Sequence, residues 1–73
     1  MKHRWTYDKQ ADAAYIYLKE IAAGEARHQA ISKGDCFILD FDPTNRLIGI
    51  EVLNASVNLH PDALAECDKL EEA

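Results

Sequence analysis

The residues that could do chemistry are mostly acids. Asp8 and Asp12 stand four apart, and a carboxylate pair at that spacing could hold a metal or share acid–base work. Aspartates so placed also build turns, because their side chains accept hydrogen bonds from nearby backbone N–H groups. The turn role is the expected one, with Asp12 capping the segment from Ala13 or holding a neighbouring Arg. Asp40, Asp42 and Asn45 alternate loosely like oxygen ligands. A calcium loop would need further oxygens, a glycine at its sharp turn and a late bidentate Glu, and Pro43 interrupts the series. A solvated hairpin tip, with Asp42 paired to Arg46, is expected instead. Glu51 lies inside an otherwise apolar run, where a buried carboxylate could serve as a functional acid. The expected alternative is an edge-exposed charge, or one paired with Lys33 or Arg27.

Other reactive side chains form no constellation. His3, His28 and His60 fall on separate elements, whereas zinc needs three or four convergent ligands. Cys36 and Cys67 are far apart and read as small buried hydrophobes. Ser32 and Ser56 lie in no G-x-S-x-G elbow, and there is no P-loop and no G-x-G-x-x-G. No catalytic residue, metal or cofactor is therefore expected, and the chain reads as a non-enzyme. Trp5, Tyr7, Tyr15 and Tyr17 could stack on a ligand or a base. On strands, such aromatics are expected in a core or an interface.

The elements that would position these residues follow from punctuation and periodicity. Residues 2–7 read as a strand with His3, Trp5 and Tyr7 on one face, closed by a turn at Asp8-Lys9-Gln10. Ala11–Ala14 favours helix and Tyr15-Ile16-Tyr17-Leu18 favours strand, so a short helical turn at 10–13 followed by a strand is expected. Residues 26–32 form a weak third strand after Gly24. The clearest signal is a hairpin over 35–53, with Pro43-Thr44-Asn45 as its loop and Asn45 in the left-handed position. Taking Asp42 opposite Arg46 gives the pairs Cys36–Val52, Ile38–Ile50 and Asp40–Ile48 on one face. The other face then carries Phe37–Glu51, Leu39–Gly49 and Phe41–Leu47. Both faces would be largely apolar, so each needs a cover.

A C-terminal helix over about 61–71 supplies one cover. Pro61 suits the first helical position, Asp62 follows in the first turn, and Leu59 with Leu64 fits a hydrophobic staple. Leu64, Cys67 and Leu70 make a narrow apolar stripe, and Glu71 and Glu72 oppose the helix dipole, so the last turn should fray. The second face calls for a partner, and a second copy is the simplest supply.

The size of the chain supports that reading. Its 73 residues and 48% hydrophobic content describe one small globular domain, 1–73, whose core is marginal by itself. The net charge of −5 argues against a nucleic-acid binder acting by itself. That charge is uneven. Residues 1–56 hold 7 bases and 8 acids, for −1, and residues 57–73 hold 1 base and 5 acids, for −4. Asp62 and Glu66 on the terminal helix are thus candidates for a basic protein partner. With two separated cysteines, no apolar run near 20 residues, and Asp8, Lys9, Gln10 and Asp12 where a signal core would lie, a cytoplasmic protein without membrane contact is expected.

Two stretches resemble a known family. Tyr7-Asp8-Lys9-Gln10-Ala11-Asp12-Ala13-Ala14-Tyr15-Ile16-Tyr17-Leu18 is similar to the opening Y-D-x-x-A-D-A-x-Y-I-x-L of domain of unknown function 2283. Asp40-Phe41-Asp42, followed by Arg46-Leu47-Ile48-Gly49-Ile50-Glu51-Val52-Leu53-Asn54-Ala55-Ser56, resembles its second half, D-x-D-x-x-G-R-L-x-G-I-E-I-L-x-A-S. The resemblance spans about residues 3–56. It departs where Asn45 stands in place of a common glycine, and the tail from Val57 lies outside it. It implies a small β-rich fold with a C-terminal helix in a free-standing bacterial protein. Some members are thought to be encoded beside candidate small toxins, which implies an antitoxin-like role.

The combined expectation is an α+β domain. An antiparallel meander of four or five strands over 2–53 carries a C-terminal helix on one face. Its function would be that of a self-associating interaction module, favouring a homodimer. Tyr15, Tyr17, Ile38 and Glu51 are the interface candidates, and Tyr7, Asp8, Asp12, Asp40, Asp42, Gly49 and Glu51 are the motif residues. The alternative is a small-ligand or enzymatic pocket at a dimer interface, around Tyr15, Tyr17 and Glu51.

Overall fold

A computed structural model describes residues 4–32 and 34–69, with side chains through Cys67. His3, Lys33, Leu70, Glu71 and Glu72, which carry parts of the reading above, lie outside the described residues. The fold is α+β, as expected. Strands β1 (Arg4–Asp8), β2 (Ala13–Tyr17), β3 (His28–Ile31), β4 (Phe37–Phe41) and β5 (Leu47–Leu53) are followed by α1 (Ala55–Asn58), α2 (Pro61–Ala65) and a short β6 (Asp68–Lys69). The five longer strands pair antiparallel. With β6 added parallel to β1, the six strands stand in the order β3-β4-β5-β2-β1-β6, so this is not a plain meander. A hairpin, β1–β2, docks its second strand on β5, and the segment after β2 crosses to the far edge to start β3.

The aromatic and β-branched run at 15–17 overrides the alanines before it, because β2 is paired on both sides. In place of a helical turn at 10–13, residues 9–12 form hydrogen-bonded turns, with Asp12 N–H donating to the Lys9 carbonyl at 3.3 Å. Asp8 Oδ1 accepts from the Gln10 and Ala11 amides at 3.0 and 3.3 Å. At the hairpin tip, Asn45 has φ 66, in the left-handed region. Asp42 and Arg46 pair there as expected.

Beyond the tip the hairpin register differs from the expected one. Phe41 still faces Leu47, but a β-bulge shifts every later pair: Asp40 faces Gly49, Leu39 faces Ile50, Ile38 faces Glu51 and Phe37 faces Val52. The physical reason is sorting. The unshifted register would mix Ile38 with Val52 on one face and Glu51 with Phe37 on the other. The extra residue at the bulge sends Phe37, Ile50 and Val52 to one face, and Ile38, Asp40, Gly49 and Glu51 to the opposite one. The two faces are therefore unlike, not both apolar.

The core lies on the first of these faces. Tyr7, Ala14, Val52, Ala55 and Cys67 are buried together, flanked by Trp5, Ile16, Phe37, Ile50, Leu59 and Leu64. Leu59 and Leu64 take the positions that the staple predicted. Pro61 stands at the start of α2 and Asp62 in its first turn, with the His60 ring capping the Asp62 amide at 3.1 Å. The helix is much shorter than 61–71, however, ending at Ala65. The chain then turns, buries Cys67 and lays Asp68–Lys69 parallel against Thr6–Tyr7. Continued helix would have left the outer edge of β1 unpaired; the short β6 covers part of it.

Candidate functional site

The motif residues divide into two groups with different work. The first group fastens the fold. Asp12, at φ 50, links the β1–β2 turn to α1. Its Oδ1 accepts from the Ser56 amide at 2.9 Å and from the Tyr7 hydroxyl at 2.7 Å, and its Oδ2 accepts from the Ser56 hydroxyl at 2.6 Å. Its carbonyl accepts from Ala55 N–H at 2.9 Å. Asp12 thus caps α1 from another element, rather than the Ala13 segment or an Arg. The Ser56 hydroxyl and the Tyr7 hydroxyl hold its carboxyl below the usual carboxylate range, and the same Asp12 bond raises the Tyr7 phenol. Asp42 belongs to this group as well. Its Oδ1 accepts from the Arg46 amide at 3.0 Å, the Thr44 hydroxyl at 2.8 Å and the Thr44 amide at 2.9 Å, and the Arg46 amide first and the Thr44 hydroxyl second lower its carboxyl. Asp8 closes its own turn, as described.

The second group lies on the face opposite the core. Strand register lays out two rows there: Thr6–Tyr15–Glu51–Ile38–Ile31, and Arg4–Tyr17–Gly49–Asp40–Gln29. Tyr15 does not stay in its row. Its ring lies diagonally over Gly49, and its hydroxyl donates to Asp40 Oδ2 at 2.5 Å. A Cβ at position 49 would sit 2.7 Å from the Tyr15 ring, so glycine is what lets the ring lie flat on the sheet. Gln29 Nε2 donates to the other Asp40 oxygen at 2.8 Å. Asp40 is only 6% exposed, and these two donors satisfy it. Burial first, and the Asp40 bond second, push the Tyr15 phenol well above its ordinary value. The Tyr17 ring packs against Tyr15 with centroids 4.6 Å apart and planes tilted by 52°, and the Arg4 guanidinium lies 5.7 Å from the Tyr17 ring centre.

Chemically this unit is a locked one. The phenol is held protonated and the carboxylate oxygens are both engaged, so the face presents a firm aromatic surface. Glu51 stands beside it on a central strand and half-buried, which corrects the edge-exposed expectation. Among the described residues it has no hydrogen-bond or ion-pair partner, and Arg27 does not reach it.

Tyr15, Tyr17, Ile38, Asp40, Gly49 and Glu51 thus share one face, whereas Asp62 and Glu66 are exposed at α2. Arg4, Gln29 and Ser56 were not singled out by sequence reasoning. Only Ser56 carried a signal, as the last residue of the second motif. Cys36 is half-buried and Cys67 buried, and the two are not joined in a disulfide. An open recess of about 380 Å³, lined by Tyr7, Lys9, Pro61, Leu64 and Ala65, lies on the opposite, helix-bearing side. No group of three or more His, Cys, Asp or Glu suited to a metal ion occurs among the described residues, nor does a helix long and apolar enough to cross a membrane.

Comparison with known proteins places the chain. No curated protein and no solved structure matches it significantly. The family model described as protein of unknown function (DUF2283) matches residues 4–56, which hold both the Asp12 clip and the Tyr15–Gly49–Asp40 unit. The chain belongs to this DUF2283 family.

Proposed function

We propose that the protein is a non-enzymatic interaction module that associates with a second copy of itself through the sheet face opposite the helices. The observation that carries this reading is the asymmetry of cover. The core cluster and helices occupy one face, and the other leaves Tyr15, Tyr17, Ile38 and Glu51 without a layer of their own. Sheets with one bare face solvate it with polar side chains, whereas aromatic and branched residues on central strands gain by being covered. Charge supports a second copy as the cover. The exposed Arg4 and the unpaired Glu51 lie on this face in different rows, so a two-fold axis can bring each to the other's partner.

The test is the solution mass of wild type against Ile38→Lys, whose ammonium stands opposite Glu51 in the ladder, by size exclusion with light scattering. A mass above that of one chain in wild type, lowered in Ile38→Lys while the chain still melts cooperatively, is the expected result. Arg4→Glu and Glu51→Arg should each weaken association and together restore it. A wild type that stays monomeric at its solubility limit overturns the reading.

A further contact is proposed at the acidic end. Asp62 and Glu66 are both exposed, and residues 57–73 carry a net −4, so this segment suits a basic protein partner in an antitoxin-like role. Such binding should weaken steeply with added salt and with Asp62→Lys plus Glu66→Lys.

A further inference from the structure

Past residue 56, where the family match ends, α2 is a short helix with no buried residue of its own. Its first turn is fastened by a ring nitrogen. The Asp62 N–H donates to His60 Nδ1 at 3.1 Å, so that nitrogen keeps its lone pair and the imidazole is neutral. Asn, Ser and Thr caps hold their acceptor at any pH, whereas an imidazole takes up a proton near pH 6.5. The His60 side chain is 73% exposed, so solvent reaches it freely. Among the described residues its one ion-pair contact is the Asp62 carboxylate, 3.8 Å from Nδ1. Of the elements packed near it, α1 carries no acid or base, and Tyr7 and Lys9 stand across the recess that Pro61 lines.

We infer that His60 is a pH-sensitive latch: the neutral ring holds the start of α2, and a proton taken from water releases it. The proton occupies the Nδ1 lone pair that accepted the Asp62 amide, and two N–H groups then face each other. The imidazolium also sets positive charge at the positive end of the helix. Its remaining partner is the Asp62 carboxylate, whose side chain is 95% exposed, and an ion pair so exposed offsets little. The latched form holds one proton fewer than the released form. The latch is therefore closed above the histidine range and opens as pH falls through it. Asp12 behaves differently. Its carboxyl lies below the usual carboxylate range, so α1 stays clipped at pH values where α2 has let go. What loosens is the path from Pro61 through the buried Cys67 to β6, which covers part of the β1 edge.

Amide hydrogen exchange of the full chain tests the latch, read as protection factors so that the intrinsic pH dependence of exchange cancels. The Asp62 amide reports the cap, and the Leu64 amide, bonded to the His60 carbonyl at 3.0 Å, reports the first turn. Between about pH 7.5 and about pH 5.5 both should lose protection by about fivefold, the worth of one cap. In His60→Asn, whose side-chain oxygen accepts at either pH, both should stay level. The Ser56 amide, held by Asp12, should stay level in both proteins. Unchanged protection of Asp62 and Leu64 in wild type overturns the latch, as does an equal loss in His60→Asn. An equal loss at Ser56 overturns it too, because the whole fold would then be loosening.

Discussion

Residues of one strand point to two faces and meet different fates. On the helix side, Ala14 and Val52 pair across β2 and β5, are almost fully buried, and sit under Ala55, Leu59 and Leu64. One residue along the same strands, Tyr15 and Glu51 pair across the open face with no helix over them; Tyr15 leans across Gly49 and the Tyr17 ring packs against it. The covered face keeps water out with apolar volume. The open face hides its one buried carboxylate, Asp40, under a tyrosine and a glutamine, and keeps its outer surface available. The difference teaches that the family's motif residues are not one site. Tyr7, Asp12 and Ser56 hold the covered side together, whereas Tyr15, Asp40 and Gly49 build the surface of the other.

Substitutions can break this contrast in graded steps. The largest effect is expected on the covered face, where Val52 is 1% exposed. Val52→Ala should cost about 2–3 kcal/mol from lost transfer energy plus a cavity, read from urea midpoints, with no change in association beyond that due to unfolding. Gly49→Ala comes next. The new methyl pushes the Tyr15 ring off Asp40, for a cost of about 1–3 kcal/mol. The double variant with Tyr15→Phe should cost less than the sum of the two singles, because both act on one bond.

The Asp12 clip should show itself through pH. Its folded carboxyl lies below its unfolded value, so its contribution is present above about pH 3.9 and is lost as pH falls through the folded value. Asp12→Asn should lower stability at neutral pH and flatten the acid limb of the stability curve measured by urea titration at stepped pH. The smallest stability effect belongs to the outer surface. Tyr17→Ser should cost about 0.5–1.5 kcal/mol, for the lost ring contact with Tyr15, while weakening self-association, which separates cover from surface most sharply.

Much of this was legible in the residues, for reasons that can be named. Punctuation by Pro43, Asn45 and Pro61 marked the hairpin tip and the start of α2, because each fixes a backbone angle locally. The turn roles of Asp8 and Asp42 were legible for the same reason: they act within four residues of themselves. The bulge was not legible. It depends on which faces the helices cover, a tertiary fact that no local pattern carries. Likewise α2 was read too long, because the stripe of Leu64 and Cys67 fits a helix and also fits a turn that buries Cys67 on its way into β6. Gln29 and Ser56 act across 11 and 44 positions, on Asp40 and Asp12 respectively, so sequence spacing gave them no meaning before the register was known.

The central claim is that the face carrying Tyr15, Tyr17, Ile38 and Glu51 is covered by a second copy. The most direct measurement is a dilution series of amide spectra by nuclear magnetic resonance. Concentration-dependent shifts should gather at Tyr15, Tyr17, Ile38 and Glu51. Ala55, Val57, Leu59 and Leu64 on the helix side should stay still, even though Val57 is 81% exposed. Shifts gathered instead around α1 and α2, with the open face unmoved, would contradict the account.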